Sequence, residues 1–395
     1  MAVPEISAPI LIAASAFCNE PGVDRWGFYQ FPVLDRLHDG RIAVTFHINA
    51  DSARAYGKGT AEPNRGISAD GGETWTLAFP TDPVAGLALP DGGRLRAGTA
   101  DITPKPVLVS ELNLPPDRGT VFGTYGNQPY VTYRHRELPP SLQGVPVARW
   151  DEAESKWKPE RARLDDPELL RASAEGVFPV VWWGDVNVAP DGSLVGLVYP
   201  CRLEGAEFGH WHCGAYRSTD GGRSWQVQGR ILYRPDRAAD AHADRRDGFS
   251  EPASVVLPDG EMVAVLRTTD GTGTGPLYLS RSRDLGGAWT PPRVLRGYGV
   301  LPRLLRLDNG VLVLSSGRPG ADLSFSFDGR GEIWTEPRSL VPVTSEDTQF
   351  DSCGYTSLLA LDADTFLVAY SWFRQPAGDG QTRKAIFARQ IRVRR

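Results

Sequence analysis

The sequence predicts an all-β chain of repeated antiparallel sheets, and three observations predict it. The first is composition: 395 residues carry 11 Trp, 12 Tyr and 15 Phe together with 43 Gly and 32 Pro. That balance favours short strands and tight turns over helices. The second is an eight-residue pattern, Ser-x-Asp-x-Gly-x-x-Trp, present as SADGGETW (68–75), STDGGRSW (218–225) and SRDLGGAW (282–289), and stretched by one residue in SFDGRGEIW (326–334). The third is an offset series of apolar strand, Asp/Gly turn and apolar strand. Its turns are HDG (38–40), PDRG (116–119), PDG (190–192), PDG (258–260), DNG (308–310) and DAD (362–364). Spacings of tens of residues suit one four-stranded antiparallel sheet per repeat, and six such sheets set radially make a six-bladed β-propeller with few exposed edges.

Each element has a local reason. In the eight-residue pattern, Ser and Asp oxygens bond turn amides, Gly admits a positive φ, and Trp packs beneath the turn. LPDGG (89–93) is a further turn and the basis for a seven-bladed alternative. Its flank RLRAGTADITPKP reads instead as an inter-blade insertion around 78–105 within a single domain, 1–395. The ending KAIFARQIRV (384–393) is expected to pair with the N-terminal strand and close the ring. DDPELLRASAE (165–175) is the best helical candidate.

A formal net charge of −5 gives no general attraction to nucleic acid or an anionic membrane, so any anion must be held by local arginines. No apolar run approaches the roughly 20 residues that span a bilayer. The start, MAVPEISAPILIAASAF, has no basic n-region, so the expected location is cytoplasmic, or secreted with the leader already trimmed. Cys18, Cys201, Cys213 and Cys353 are scattered without a CxxC pair and read as buried thiols. HWH (210–212) sets His210 and His212 on one strand face, but no carboxylate or thiol at ligand spacing completes a metal site. No metal or organic cofactor is expected.

The Ser-x-Asp-x-Gly-x-x-Trp series is the Asp-box of the bacterial neuraminidase repeat, and nearly the whole chain resembles the sialidase superfamily of six-bladed propellers. Such enzymes hold a substrate carboxylate with three arginines, use a Tyr/Glu pair as nucleophile, and carry an Asp acid/base on a loop. In GFSEPASVVLPDGEMVAVLRT (248–268), Glu251 and Arg267 match the family strand pair in which a Glu precedes one hairpin strand and an Arg ends the next. SCGYTSLLALDADTFLVAYSW (352–372) resembles the nucleophile region, with Tyr355 at the matching position. A phenol ordinarily ionises near pH ~10, so the resemblance implies that Glu251 takes its proton during attack. LSSGRPGADLSFSFD (314–328) puts Arg318 at the last arginine's place, where a planar fork suits a carboxylate.

The first arginine is missing. Where the family carries aromatic-Arg-Ile-Pro, this chain reads FYQFP, with Gln30 in the arginine's place, and Ser371 stands where family members often have a supporting carboxylate. Losing cation and anion together avoids stranding either charge in a cleft. The acid/base is expected in TFHINADSARAYGKG (45–59): Asp51 is the first choice, and His47, of a residue type that titrates near neutrality, is its rival. Asp185 and Trp183 in FPVVWWGDVNVAPDG (178–192), and His242 in HADRRDGF (242–249), are further candidates for contacting a carbohydrate.

The first expectation is therefore a retaining exo-glycosidase acting on a terminal acidic sugar, sialic acid or another. Tyr355 attacks, Glu251 activates it, Asp51 serves as acid/base, and Arg267 and Arg318 orient the anion. The alternatives are a uronate-specific polysaccharide lyase, in which His47 or a Tyr removes the proton beside the carboxylate, and a non-catalytic carbohydrate-binding propeller. Bulk sequence properties do not separate these three.

Overall fold

The structure, a computed structural model, describes residues 3–19, 25–52, 60–98, 107–112, 124–125, 128–129, 131–174, 176–180, 182–205, 209–269 and 273–394. Among them the chain is almost wholly strand and turn, with one four-residue helix, Val109–Leu112. It forms two compact units, one from residues 1–51, 59–85 and 298–395, the other from 52–58 and 86–297.

The first unit contains two four-stranded meanders and one closing sheet. Phe28–Arg36, Ile42–Ile48, Arg65–Ser68 and Thr76–Ala78 pair in sequence order, as do Val300–Arg306, Leu312–Gly317, Ala321–Ser326 and Arg338–Val341. The closing sheet takes Thr356–Ala360, Thr365–Pro376 and Thr382–Arg392 from the C-terminal region and completes itself with Ile10–Ala14, which aligns Leu11 with Phe387. The expected pairing of KAIFARQIRV with an N-terminal strand is thus present. Its core gathers Phe325, Phe366, Tyr370 and Phe387, all buried.

The second unit repeats the plan. Trp182–Val188, Leu194–Cys201, His212–Ser218 and Ser224–Ile231 form one meander, and Gly248–Val256, Met262–Thr269, Leu277–Ser282 and Arg293–Arg296 another. A third, Leu87–Ala88, Arg94–Ala97, Val145–Asp151 and Lys156–Asp165, joins the first of these through parallel pairing of Arg163 to Asp165 with Ser224 to Gln226. Consecutive antiparallel four-stranded meanders are the strand topology of a β-propeller.

Two expectations need correcting. Residues 87–97 are not an inter-blade excursion: they form a hairpin in a meander, and Gly92 N–H bonds the Leu89 carbonyl at 3.0 Å as Gly40, Gly192, Gly260 and Gly310 bond Leu37, Ala189, Leu257 and Leu307. The long excursion runs instead between Ala97 and Val145, and the PDRG turn (116–119) lies outside the described residues. The helical candidate at 165–175 contains the strand Leu170–Ala174, paired with Val131–Arg134 on one side and Val177–Val180 on the other. Tertiary pairing here overrides a short helical propensity.

The four Trp motifs share one hydrogen-bond pattern. Ser68, Ser218, Ser282 and Ser326 each donate to the Asp two residues on and accept an N–H from Gly72, Gly222, Gly286 and Gly331. The indoles of Trp75, Trp289 and Trp334 return a bond to those glycine carbonyls, while Trp225 is fully buried. Burial works against the Asp220 carboxylate, but hydrogen bonds from Ser224, Ser218 and Arg223 outweigh it and hold its pKa at about 2. Cys201, Cys213 and Cys353 are buried, unbridged thiols, and burial pushes Cys201 up to about 12, as suits packing rather than reactivity. His212 is likewise a packing residue, its Nδ1 accepting the Tyr233 N–H at 2.9 Å.

Candidate active site

Three hairpins carry the same irregularity at one end. The register slips by one residue between Gln30 and Val33, between Ser250 and Ala253, and between Val300 and Arg303. Each slip is a β-bulge containing an X-Pro pair: Phe31-Pro32, Glu251-Pro252 and Leu301-Pro302. The first residue of each pair has a positive φ, 53°, 42° and 34° respectively. That conformation is unfavourable for a side chain with a Cβ, by about 1–3 kcal/mol, and doubly so before proline. Bulges re-aim side chains beside functional sites. Tyr355 stands at the same remove from the closing pair of its own hairpin, Ala360 with Phe366, as Phe31, Glu251 and Leu301 do from theirs.

In the first unit these positions build a connected cluster. The Phe31 and Tyr355 rings lie with centroids 4.9 Å apart, and Phe31 and His47 at 5.9 Å. Trp26 meets Phe31 edge-on at 6.3 Å. The Arg318 guanidinium carbon sits 5.2 Å from the Trp26 ring and 5.7 Å from that of Tyr355, within cation–π range. Its Nε and Nη2 both donate to the Cys353 carbonyl, at 3.2 and 2.9 Å. Gly354 permits close approach of the Arg318 main chain, because a Cβ there would lie 2.6 Å from the Arg318 backbone nitrogen and its φ is +77°.

The acid/base candidates hang on one dipeptide, Trp26-Gly27. The Trp26 indole N–H donates to the Asp51 carboxylate at 3.1 Å, and the Asp51 N–H donates to the Trp26 carbonyl at 3.3 Å. His47 Nδ1 lies 3.0 Å from the Gly27 carbonyl. A carbonyl only accepts, so Nδ1 carries a proton. Gly27 has a φ of +98°, and a Cβ there would lie 2.3 Å from the Asn49 carbonyl oxygen.

Gln30 is fully buried, opposite His47 in the register, with Oε1 accepting the Gly27 N–H at 3.0 Å. Ser371 is buried as well, its Oγ accepting the Cys353 N–H at 3.3 Å. Gln30 and Ser371 are thus neutral struts, one bonded to the Gly27 N–H and the other to the N–H of Cys353, the residue whose carbonyl receives Arg318.

The second unit holds the remaining candidates. Arg267 Nη1 donates to Glu251 at 2.8 Å, with side chains only 12% and 10% exposed. Asp185 accepts the Ser254 N–H at 3.0 Å, which ties neighbouring meanders together. His242 is exposed, before a short 3-10 turn, and the side chain of Trp183 lies outside the described residues. Sequence reasoning passed over Trp26, Phe31, Asp240 and Tyr278; Arg246 and the Tyr278 hydroxyl both donate to the buried Asp240, at 3.1 Å each. Only the X-Pro pairs FP, EP and LP, each just before a hairpin strand, signalled the bulges.

No protein-family model matches the chain, and no curated protein matches it. Among solved structures, it is similar over 99% of its length to 99% of a Dyadobacter fermentans protein of unknown function, with 21% identity and a TM-score of 0.60. That likeness is one of fold alone. It is also similar, more distantly, to a Penicillium chrysogenum α-L-arabinanase (16% identity, TM-score 0.48, 97% of this chain and 98% of that one). A Hadza microbial sialidase matches at 16% identity and a TM-score of 0.46, over 90% of this chain and 65% of that one.

Proposed function

We propose that the chain is a sialidase-like glycosidase on a six-bladed propeller, cleaving a terminal sugar from glycans with Tyr355 as nucleophile. The observation that supports this reading best is the cluster in the first unit: a tyrosine, an arginine, a histidine and an aspartate from three separate chain segments, linked through Trp26, Phe31 and Gly27. Structural packing alone gives no reason to gather a phenol, a guanidinium and two proton-transfer groups around aromatic faces suited to a sugar ring.

In this reading the Tyr355 oxygen attacks the anomeric carbon as its proton passes to Glu251, the assignment of Glu251 resting on its sequence motif. The bond to the leaving oxygen breaks, and that oxygen takes a proton from Asp51. Water then gives a proton back to Asp51 and displaces Tyr355, which recovers its own from Glu251. Arg267 and Arg318 orient an acidic substituent. Denaturing quench and peptide mass spectrometry during turnover of aryl glycosides is expected to find a sugar mass on the Tyr355 peptide. Full turnover by Tyr355→Phe would sink the proposal, and so would binding without turnover across a broad glycan panel.

One observation favours a second reading. With Nδ1–H donated to the Gly27 carbonyl, a neutral His47 carries its lone pair on Nε2, the form that a base removing a carbon-bound proton beside a uronate carboxylate requires. That lyase would release an unsaturated, ultraviolet-absorbing product, whereas hydrolysis would not.

A further inference from the structure

We propose that Gln30 is a positioning residue: it holds the Trp26-Gly27 backbone, and through that backbone both proton-transfer groups, rather than touching the substrate. The bonding order is explicit. Gln30 Oε1 accepts the Gly27 N–H at 3.0 Å, and the Gly27 carbonyl accepts His47 Nδ1–H at 3.0 Å. On the other side of the same dipeptide, Trp26 holds Asp51 by indole and carbonyl together. The Gly27 N–H shares a peptide plane with the Trp26 carbonyl that accepts the Asp51 N–H, and the Gly27 carbonyl lies in the next plane, hinged at the Gly27 Cα. Releasing the N–H frees the first plane to turn, and a glycine hinge passes that turn on to the carbonyl that holds His47.

The chemistry of the side chain supports a strut. Gln30 is 0% exposed, and its Nε2 has no hydrogen-bond partner among the described residues. A buried donor left unmatched is unfavourable, so an amide is retained here for its acceptor end. Leucine or methionine would fill the space without that penalty and would leave Gly27 unsatisfied. Glutamate would supply the acceptor at the expense of a buried charge. Glutamine alone among side chains of this length gives a neutral acceptor. The strut is set in a strand bulged on both sides, with Tyr29 and Phe31 each at a φ of 53°, a backbone arrangement that needs fixing from within.

The deciding experiment is nitrogen-15 NMR of the imidazoles in the full chain, with the His47 signals assigned by their loss in His47→Asn. The native protein is expected to show His47 as the Nδ1–H tautomer. Gln30→Leu and Gln30→Met are expected to show a mixed tautomer signature, while Gln30→Glu, which keeps the acceptor, retains the native one. A native signature in folded Gln30→Leu or Gln30→Met overturns the proposal. Having two apolar variants guards against one failing to fold.

A kinetic arm rests on the proposed glycosidase reading: Gln30→Leu is expected to lower kcat roughly 10–100-fold with KM within about twofold, the signature of misplaced catalytic groups. A raised KM with unchanged kcat and an unchanged tautomer would make Gln30 a substrate ligand and overturn the proposal. Absence of turnover in the native protein would defeat the glycosidase reading while the NMR arm still decides the role of Gln30.

Discussion

The hairpins at 28–48 and 248–269 share a backbone device and differ in everything placed on it. Both bulge at an X-Pro pair, and both force the residue before proline to a positive φ. In one, the strained residue is Phe31 and the register sets Gln30 against His47. In the other it is Glu251, and the register sets Ser250 against Arg267. The first hairpin carries an uncharged aromatic face with a tautomer-fixed imidazole, the second a nearly buried ion pair. Strain thus belongs to the scaffold, which repeats, while chemistry belongs to the side chains, which do not. The Trp motifs are the opposite case, repeating both backbone and side chains, as turns that only hold structure can.

The comparison is broken most severely at Tyr355, which occupies the Phe31 position of its own hairpin. Tyr355→Phe keeps the ring between Phe31 and Arg318 and is expected to reduce kcat about 10³-fold or more, with an unchanged thermal melt. Next comes Glu251→Ala, which leaves the Arg267 guanidinium without its carboxylate in a site about one-tenth exposed. Chemical denaturation is expected to show a loss of about 3 kcal/mol. The matched Phe31→Ala strands no charge and is expected to lose about half as much, roughly 1.5 kcal/mol. An equal loss at both positions would mean that the bulge, and not the pair, sets the stability of the second hairpin.

Gly354→Ala places a Cβ 2.6 Å from the Arg318 backbone nitrogen at a positive φ. About 2 kcal/mol of stability should disappear, together with substrate affinity if Arg318 is displaced. Ser218→Ala removes the two bonds that Ser218 makes in its Trp motif and is expected to lower stability by about 1 kcal/mol with activity unaltered. The smallest effect is the acid response of the same turn. Asp220 has a folded pKa of about 2 against an ordinary 3.8, so its stabilisation is complete above the ordinary value and fades as pH falls toward 2. The melting-temperature gap between the native protein and Asp220→Asn should close over that interval, and a gap constant with pH would contradict it.

Legibility in the sequence followed the range of the forces involved. The hairpin turns and Trp motifs were readable because their donors and acceptors lie within five residues of one another. His47, Asp51, Arg318 and Tyr355 were singled out through the resemblance to the sialidases, and in the structure each joins the Trp26 and Phe31 cluster. What escaped was set by backbone geometry. The function of Gln30 depends on a Gly27 peptide whose orientation no side-chain pattern announces, and a two-residue strand, Leu87–Ala88, is too short to show alternation. The strand Leu170–Ala174 carried a helical composition and was decided by partners on both sides.

The pairing of Ile10–Ala14 with Thr382–Arg392 governs the order in which the chain can fold. The first unit begins before residue 52 and is finished only by residues after 297, whereas most of the second unit is one uninterrupted stretch. During synthesis, strand Ile10–Ala14 must therefore wait for a partner made hundreds of residues later, carrying an apolar edge through most of translation. Contacts this distant in sequence form slowly because the intervening loop entropy is lost before they repay it. The second unit can consolidate first, and the closing sheet, on which Tyr355 borders, is the last part of the molecule to become native.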